Sequence, residues 1–311
     1  MERYSKTENA FASLFFIIPT LFIVIGIFVF TYSPSEENKL FFGIPLFVSL
    51  VLLLIGFFLK KDRIGNVIRI AGWVILSFFW STQINNLYFG EDGDFVNAFL
   101  CIVGIYVLFY IAYHEWLSVK RRENISCLSW IAGAAAIAGL IYFGIDMGPL
   151  QMWLREVVAA QSAWVLNIFA GNVHQESVYI TWEQTSIGII FACTAVQSMV
   201  IFVGMILPLA KVDANRKIYG LLVTVLPIYL LNLVRNALVV YLTGVYGDDF
   251  FPIAHNIIGK GGSLIALVIL LLIVVKIIPE VFEEIMGLID LHKRNGPMER
   301  FVKRYVLGKK L

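Results

Sequence analysis

Eight long apolar stretches run through the chain and leave little choice of fold class. They cover residues 11–32, 40–59, 68–89, 96–117, 130–150, 186–210, 218–244 and 254–278. Each has about the 20 residues that a helix needs to cross a hydrocarbon core of about 30 Å. Apolar residues make up 59% of the chain and charged residues only 15%, a balance that soluble domains do not have. We therefore predict an all-α integral membrane protein with about eight transmembrane helices.

The distribution of basic residues predicts the orientation of these helices. With the N-terminus placed in the cytoplasm, the inner connections and the tail contain all but four of the 24 Lys and Arg residues; the four are Lys39, Arg155, Arg235 and Lys260. Acidic residues fall on the outer side instead, at Glu91, Asp92, Asp94, Asp248 and Asp249. By the positive-inside rule, both termini are cytoplasmic. The first stretch, 11–32, is too long for a cleaved signal peptide and is interpreted as the first span.

One outer connection is much longer than the others and divides the chain. Residues 151–185 begin with an amphipathic helical pattern whose tryptophans, Trp153 and Trp164, suit a membrane interface. Gly171 and Asn172 end that pattern, and the segment SVYITW then predicts a short strand. This extracytoplasmic excursion is either a packed cap or a rim over an outward-facing site. It separates an N-terminal five-helix region (1–150) from the last three spans (186–278) and a basic cytoplasmic tail (279–311).

The sixth stretch contains FACTAVQSM, which places a thiol within a predicted span. Gln197 lies four residues after Cys193 and shares its helical face, while Thr194 and Ser198 form a neighbouring polar stripe. A membrane cysteine can also be a small inert side chain, which is how we interpret Cys101 and Cys127. Three cysteines are too few for a disulfide framework, and no CxxC pair indicates a metal site.

The seventh stretch contains LNLVRNALVVY, with an arginine about 13 Å from its outer end at the helical rise per residue. Arg235 cannot lose its proton, so it needs an anionic or dipolar partner inside the bundle. Asn232 and Asn236 are four residues apart and form one polar face beside it. The alternative to a functional role is a hydrogen-bonding clamp between helices.

The eighth stretch opens with PIAHNIIGKGGSL, which places His255 at its outer end and Lys260 one turn below Asn256. Taken alone, His255 is equally well explained as an interfacial histidine without a role. The predicted topology, however, puts Cys193, Arg235 and His255 at one level in the outer half of the membrane. These residue types together supply a nucleophile, a stabiliser of the thiolate or oxyanion, and an acid or base.

The same residues give the chain a family resemblance. ACT within FACTAVQSM, RN within LVRNALVV and HN within AHNIIGK resemble the motifs of the exosortase/archaeosortase family, with the archaeosortase branch the more similar. The order Cys, Arg, His on three late spans also resembles that family, and the likeness covers residues 153–278. One position departs from the family pattern, which has glycine soon after the Cys-Thr pair where this chain has Ala195.

The resemblance implies a membrane cysteine transpeptidase without a metal or organic cofactor. Such enzymes act on secreted proteins that end in a short motif, a transmembrane helix and a basic tail, and pass the new C-terminus to a membrane lipid. It implies catalysis by Cys193, Arg235 and His255, with Lys260 as an alternative acid or base. The supporting or substrate-binding candidates are Thr194, Gln197, Asn232, Asn236, Asn256 and Lys260.

A second class of function stays open on the sequence alone. A non-catalytic transporter or receptor could use Arg235 as an anion site, and it would not need Cys193. Zinc and serine proteases of the common motif classes are not favoured, because the sequence contains neither HExxH nor GxSxG. Nothing in the sequence indicates a nucleic-acid partner.

Overall fold

The computed structural model describes residues 6–30, 36–59, 63–90, 93 and 95–303. Several sequence features lie outside these residues: the end of the first predicted span, the basic residues Arg3, Lys60 and Lys61, the acidic residues Glu91, Asp92 and Asp94, and the end of the tail. The described chain is mostly helical and divides into two compact units. The predicted all-α class is confirmed in that broad sense.

The first unit comprises Met1–Ala136 and Glu284–Leu311. Its elements are α1 (Lys6–Val29), α2 (Glu36–Phe58), α3 (Arg63–Phe89), α4 (Phe95–Arg121), the first part of α5 (Ser126–Asp146), the last part of α10 (Pro279–Ile289) and α11 (Pro297–Phe301).

A buried ion pair joins α3 to α4 in this unit. Arg69 Nε lies 2.5 Å from Glu115 Oε1, and both side chains are almost fully buried. Arg69 Nη1 also donates to the carbonyl oxygen of Gly56, in α2, at 2.6 Å. Because a buried charge is stable only when it is paired and hydrogen-bonded, this cluster fixes how α2, α3 and α4 pack. In the sequence, Arg69 is marked only as one of the basic residues on the predicted cytoplasmic side.

The C-terminal segment of this unit is held against α4 by one carboxylate. Tyr110 and Tyr113 donate their hydroxyls to the two oxygens of Glu299, at 3.1 and 3.0 Å. His114 Nε2 lies 3.2 Å from the same carboxylate. Part of the predicted basic tail (279–311) is therefore packed within the first unit.

The second unit comprises Ile137–Glu283. After the rest of α5 it contains α6 (Leu150–Ala170), β1 (His174–Glu176), β2 (Tyr179–Trp182), β3 (Thr185–Gly188), a 3-10 helix (Phe191–Thr194), α7 (Val196–Ile206), α8 (Ala214–Tyr246), a second 3-10 helix (Asp248–Phe250), a π-helix (Ile253–Gly259), α9 (Lys260–Ile277) and the start of α10. The three strands form an antiparallel sheet in the order β1-β2-β3.

Among the described residues, six helical segments are long and apolar enough to cross a membrane. They are Ala10–Val29, Arg63–Phe89, Phe95–Arg121, Ser126–Asp146, Ala214–Tyr246 and Asp248–Ile277. Two further apolar helices are shorter, Gly43–Phe58 and Val196–Ile206. All eight lie on predicted spans.

The prediction of a continuous helix over 186–210 is wrong in its first part. This part contains β3 and the 3-10 helix, and α7 itself has only 11 residues. Isoleucines 187, 189 and 190 favour extended backbone because they are β-branched. Ala195, at φ 62° and ψ 4°, then separates the 3-10 helix from α7.

The excursion 151–185 contains both elements that were predicted for it. The helix is α6, and the predicted strand contains β2; β1 and β3 were not predicted. Val158, Ala159 and Leu166 are buried on α6, whereas Trp153 and Trp164 are exposed. The tryptophans that marked this helix in the sequence therefore lie on its exposed face. On the opposite face, the small residues Ala159 and Ala163 allow α6 to pack closely in the core with α8 and β2.

Candidate active site

The second unit brings the predicted catalytic residues to one cavity. This cavity has a volume of about 370 Å³ and is lined by Cys193, Arg235 and His255, which lie on the 3-10 helix, α8 and the π-helix. Gln197 and Lys260 also line it. The rest of its wall is largely apolar and comes from α8 and α9, including Ile228, Leu231, Leu264, Leu267 and Leu270.

Cys193 is fixed through its main chain. Its side chain belongs to the buried core cluster with 7% exposure, and it still lines the cavity. The Cys193 carbonyl oxygen accepts hydrogen bonds from Asn232 Nδ2 at 2.7 Å and from Asn236 Nδ2 at 3.0 Å. These two amides lie one turn apart on α8, as their spacing predicts. They face the backbone of Cys193, so at this position they act on the protein's own chain.

The segment before Cys193 is held from a different helix. Arg155 of α6 donates from Nε to the Ile189 carbonyl oxygen at 2.8 Å. Behind Asn236, Ser162 of α6 is fully buried, and its hydroxyl oxygen lies 3.4 Å from Asn236 Nδ2. The backbone around Cys193 is therefore fixed from both α6 and α8. The sequence analysis assigned neither Arg155 nor Ser162 to the site, and no motif marked them.

Arg235 enters the cavity without a carboxylate to neutralise it among the described residues. Its Nη1 atom is 3.5 Å from Asn232 Oδ1, a long contact, and its buried Nε has no hydrogen-bonding partner in the described chain. Gly259 packs directly on the guanidinium, since a Cβ atom at that position would lie 3.0 Å from Nε. A cation held in this way suits a negative or strongly dipolar group in the cavity.

His255 lies within the π-helix that precedes α9. Its ring stacks on Phe251, with ring centroids 5.3 Å apart. The backbone N–H of Lys260 donates to the carbonyl oxygens of His255 and Ile257, which closes the wide turn. Short π-helical turns recur at functional sites because they redirect side chains within a helix. Here the turn places both His255 and Lys260 at the cavity.

Three predicted supporting residues do not line the cavity. Thr194 is fully buried, and its hydroxyl donates to the Phe191 carbonyl oxygen at 2.7 Å within the 3-10 helix. Asn236 donates to the Cys193 carbonyl oxygen and is not part of the cavity wall. Asn256 is exposed and lies away from the cavity wall. The helical periodicity used for Asn256 fails because a π-turn shifts the faces of consecutive residues.

Comparison with known proteins identifies the family. The model of a family described as transmembrane exosortase matches residues 68–274, an interval that contains Cys193, Arg235 and His255. The chain belongs to the transmembrane exosortase family. This exosortase-family chain is 26% identical over 263 residues to archaeosortase A of Haloferax volcanii, covering 71% of the chain and 83% of the relative. It is 24% identical over 190 residues to archaeosortase A of Natronomonas pharaonis, covering 56% and 57%.

No solved structure matches this exosortase-family protein. The family match leaves out α1 and α2 and includes the whole segment from α6 to the π-helix. The family resemblance drawn from the three short motifs is thus confirmed.

The departure at Ala195 gives a stability prediction for this exosortase-family chain. Its left-handed backbone, with φ 62°, is a conformation in which an L side chain costs roughly 1–2 kcal/mol and glycine costs little. In detergent, the melting temperature of Ala195→Gly should therefore be equal to or higher than that of the unsubstituted protein. Ala195→Val should lose about 1 kcal/mol or more, because a β-branched side chain fits this region worst. The reverse order of melting temperatures would contradict the assigned backbone conformation.

Proposed function

We propose that this chain is a membrane cysteine transpeptidase of the archaeosortase type. Its substrates are secreted proteins ending in a short motif, a transmembrane helix and a basic tail, and its acceptor is a membrane lipid. The observation that carries the proposal is the single cavity shared by Cys193, Arg235 and His255, which lie on three separate segments. The two relatives named archaeosortase A support the same reading.

In the first step the Cys193 thiolate attacks the carbonyl carbon of the substrate peptide bond. A C–S bond forms, and the carbonyl oxygen becomes an oxyanion. Arg235 provides positive charge for both the thiolate and the oxyanion.

In the second step the tetrahedral intermediate breaks its C–N bond. The leaving amine takes a proton from His255, or from Lys260 at the start of α9, and departs with the substrate helix and basic tail. This leaves a thioester on Cys193. A nucleophilic group of a lipid headgroup then attacks the thioester carbonyl and gives its proton to the same base. The C–S bond breaks, and the thiolate is restored.

The membrane arrangement that fits this reaction has eight spans, cytoplasmic termini and an extracytoplasmic cavity. The crossing over 186–210 is then only partly helical, since α7 covers about 16 Å at 1.5 Å per residue. Non-helical backbone at membrane depth is acceptable where protein surrounds it or where it lines a cavity. Cys193 and its 3-10 helix meet both conditions.

The orientation has a direct test at two exposed positions, Gln175 on β1 and Asn124 between α4 and α5. In a Cys193→Ala chain, whose other two cysteines are buried, Gln175→Cys should react with a membrane-impermeant thiol reagent on intact cells. Asn124→Cys, on the predicted cytoplasmic side, should react only after permeabilisation. The positive-inside distribution is the reason for this expectation. Labelling of Asn124→Cys alone on intact cells would invert the topology and place the cavity on the wrong side for secreted substrates.

The proposed function is tested by coexpression with a reporter. The reporter carries a secreted domain followed by the short motif, an apolar helix and an Arg/Lys tail. The expected products are a reporter shortened at the motif and a lipid on its new C-terminus, both detected by mass spectrometry. A matched reporter without the motif should stay at full length. The family resemblance implies a Pro-Gly-Phe-like motif for the archaeal branch and a Pro-Glu-Pro motif for the bacterial one, so both forms are tested. If the reporter keeps its helix and tail with both motifs while the protein is abundant, the proposal is rejected.

A further inference from the structure

The edge of the sheet formed by β3 leads directly to the candidate nucleophile. The backbone N–H of Ile189 donates to the Val178 carbonyl oxygen at 2.8 Å, which identifies these two residues as a hydrogen-bonded pair of the β2–β3 ladder. Hydrogen-bonded and non-hydrogen-bonded pairs alternate along an antiparallel ladder. Ser186 and Gly188 therefore occupy non-hydrogen-bonded positions opposite Thr181 and Tyr179.

At these two positions the N–H and C=O groups point away from β2. The side chains agree with this register, because Ser186 Oγ and Thr181 Oγ1 are 3.0 Å apart, as close cross-strand neighbours in a non-hydrogen-bonded pair should be. No backbone or side-chain partner for these outward groups occurs within the described residues. Ser186 is exposed and Gly188 is half-buried.

The extended backbone continues beyond β3 towards the cavity. Ile190, at φ −87° and ψ 167°, is still extended, and it is 41% exposed. The next residues form the 3-10 helix that contains Cys193. The opposite edge of the sheet, β1, follows α6 instead and has no such connection to Cys193.

We propose that the outer edge of β3 binds the cleavage segment of the substrate as an additional antiparallel or parallel strand. The inference rests on the proposed function, because it names how the substrate of the same site is held. Edge-strand addition uses main-chain hydrogen bonds for affinity and leaves sequence selection to side-chain pockets. A strand paired with Ser186 and Gly188 is directed along Ile190 to Cys193. It presents an extended peptide bond at the point where the thiol must attack.

Proline at position 186 tests this pairing. Ser186→Pro removes the outward N–H and places a ring at the edge, a substitution that edge strands tolerate because the lost N–H is not part of the ladder. We expect the KM for the reporter to rise by about tenfold, the upper end of the effect of losing one net hydrogen bond. The rate at which a small thiol reagent alkylates Cys193 should stay unchanged, since the site itself is intact.

Two controls separate this effect from damage to the sheet. Gln175→Pro makes the same change at an outward-facing position of β1, since Gln175 pairs with Ile180 at a non-hydrogen-bonded position. Thr181→Val removes the hydroxyl contact to Ser186 from the β2 side. Both controls should retain the KM of the unsubstituted protein. A normal KM for Ser186→Pro, or an equal rise for Gln175→Pro, would overturn the edge-strand proposal while leaving the transpeptidase proposal standing.

Photocrosslinking tests the same pairing if Ser186→Pro does not fold or if the reporter is not cleaved. A benzophenone amino acid placed at Ser186 in a Cys193→Ala chain should crosslink to the motif segment of the reporter. The same probe at Gln175 should not. Crosslinking from Gln175 alone, or equally from both positions, would reject β3 as the binding edge, and this readout needs no catalysis.

Discussion

Cys193→Ala should leave the reporter at full length, with a loss of processing rate of at least about ten-thousandfold, as expected when a covalent nucleophile is removed. The reason is chemical, because no other cysteine lines the cavity shared with Arg235 and His255. The substituted protein should still accumulate in the membrane, since alanine is smaller than cysteine and fits in the same buried position. Gel mobility of the reporter, measured together with protein abundance, checks both expectations.

The other two cysteines are internal controls for this result. Cys101 and Cys127 are buried in the first unit, on α4 and α5. Cys101→Ala and Cys127→Ala should process the reporter normally. Normal processing by Cys193→Ala would contradict the proposal that the protein is a cysteine transpeptidase. It would then favour the alternative drawn from the sequence, a transporter or receptor that uses Arg235 as an anion site.

Arg235→Lys should slow processing by at least about a hundredfold, the scale of losing one donor to a developing oxyanion. Lysine keeps the positive charge, but it replaces a planar fork of donors by a point charge on a flexible stem. The contact of the guanidinium with Gly259 indicates that the wall of the π-helix is shaped for this planar group. The rate of reporter cleavage, normalised to the amount of membrane protein, measures the effect.

Arg216→Lys is the matched control, because it makes the same exchange on the same helix, away from the cavity. Arg216 pairs with Glu280 at 2.9 Å and is partly exposed. It should process the reporter at the normal rate. Abundant Arg235→Lys protein with near-normal processing would assign Arg235 to a helix clamp. Scarce protein whose surviving molecules work at the normal rate would lead to the same assignment.

The candidate site residues could be proposed from the sequence because each is a polar or reactive group in an apolar span. A guanidinium and an imidazole within late membrane segments are costly unless they have a use, whereas the thiol is marked only by the motif around it. Whether these three side chains meet in space was harder to predict from the sequence. The common level of Cys193, Arg235 and His255 was predicted from continuous helical spans, yet the segment that leads to Cys193 is a strand followed by a 3-10 helix. The shared cavity now supports the grouping in place of that depth argument.

The parts that sequence reasoning missed depend on backbone geometry and on long-range packing. Nothing in the spacing of Asn232 and Asn236 indicates that both amides bind the Cys193 carbonyl, which is 39 and 43 residues away. The π-helix was also invisible, because its residues read as the start of an ordinary span. Strands β1 and β3 are three and four residues long, too short for a periodic signal.

The central claim is that Cys193 forms a thioester with the cleaved substrate, and mass spectrometry of the trapped enzyme tests it most directly. The protein is quenched in acid during turnover of the reporter and digested. The account predicts a peptide containing Cys193 joined to the new C-terminus of the reporter, and hydroxylamine should release it. Cleaved reporter without that adduct, produced equally by the Cys193→Ala chain, would contradict the account.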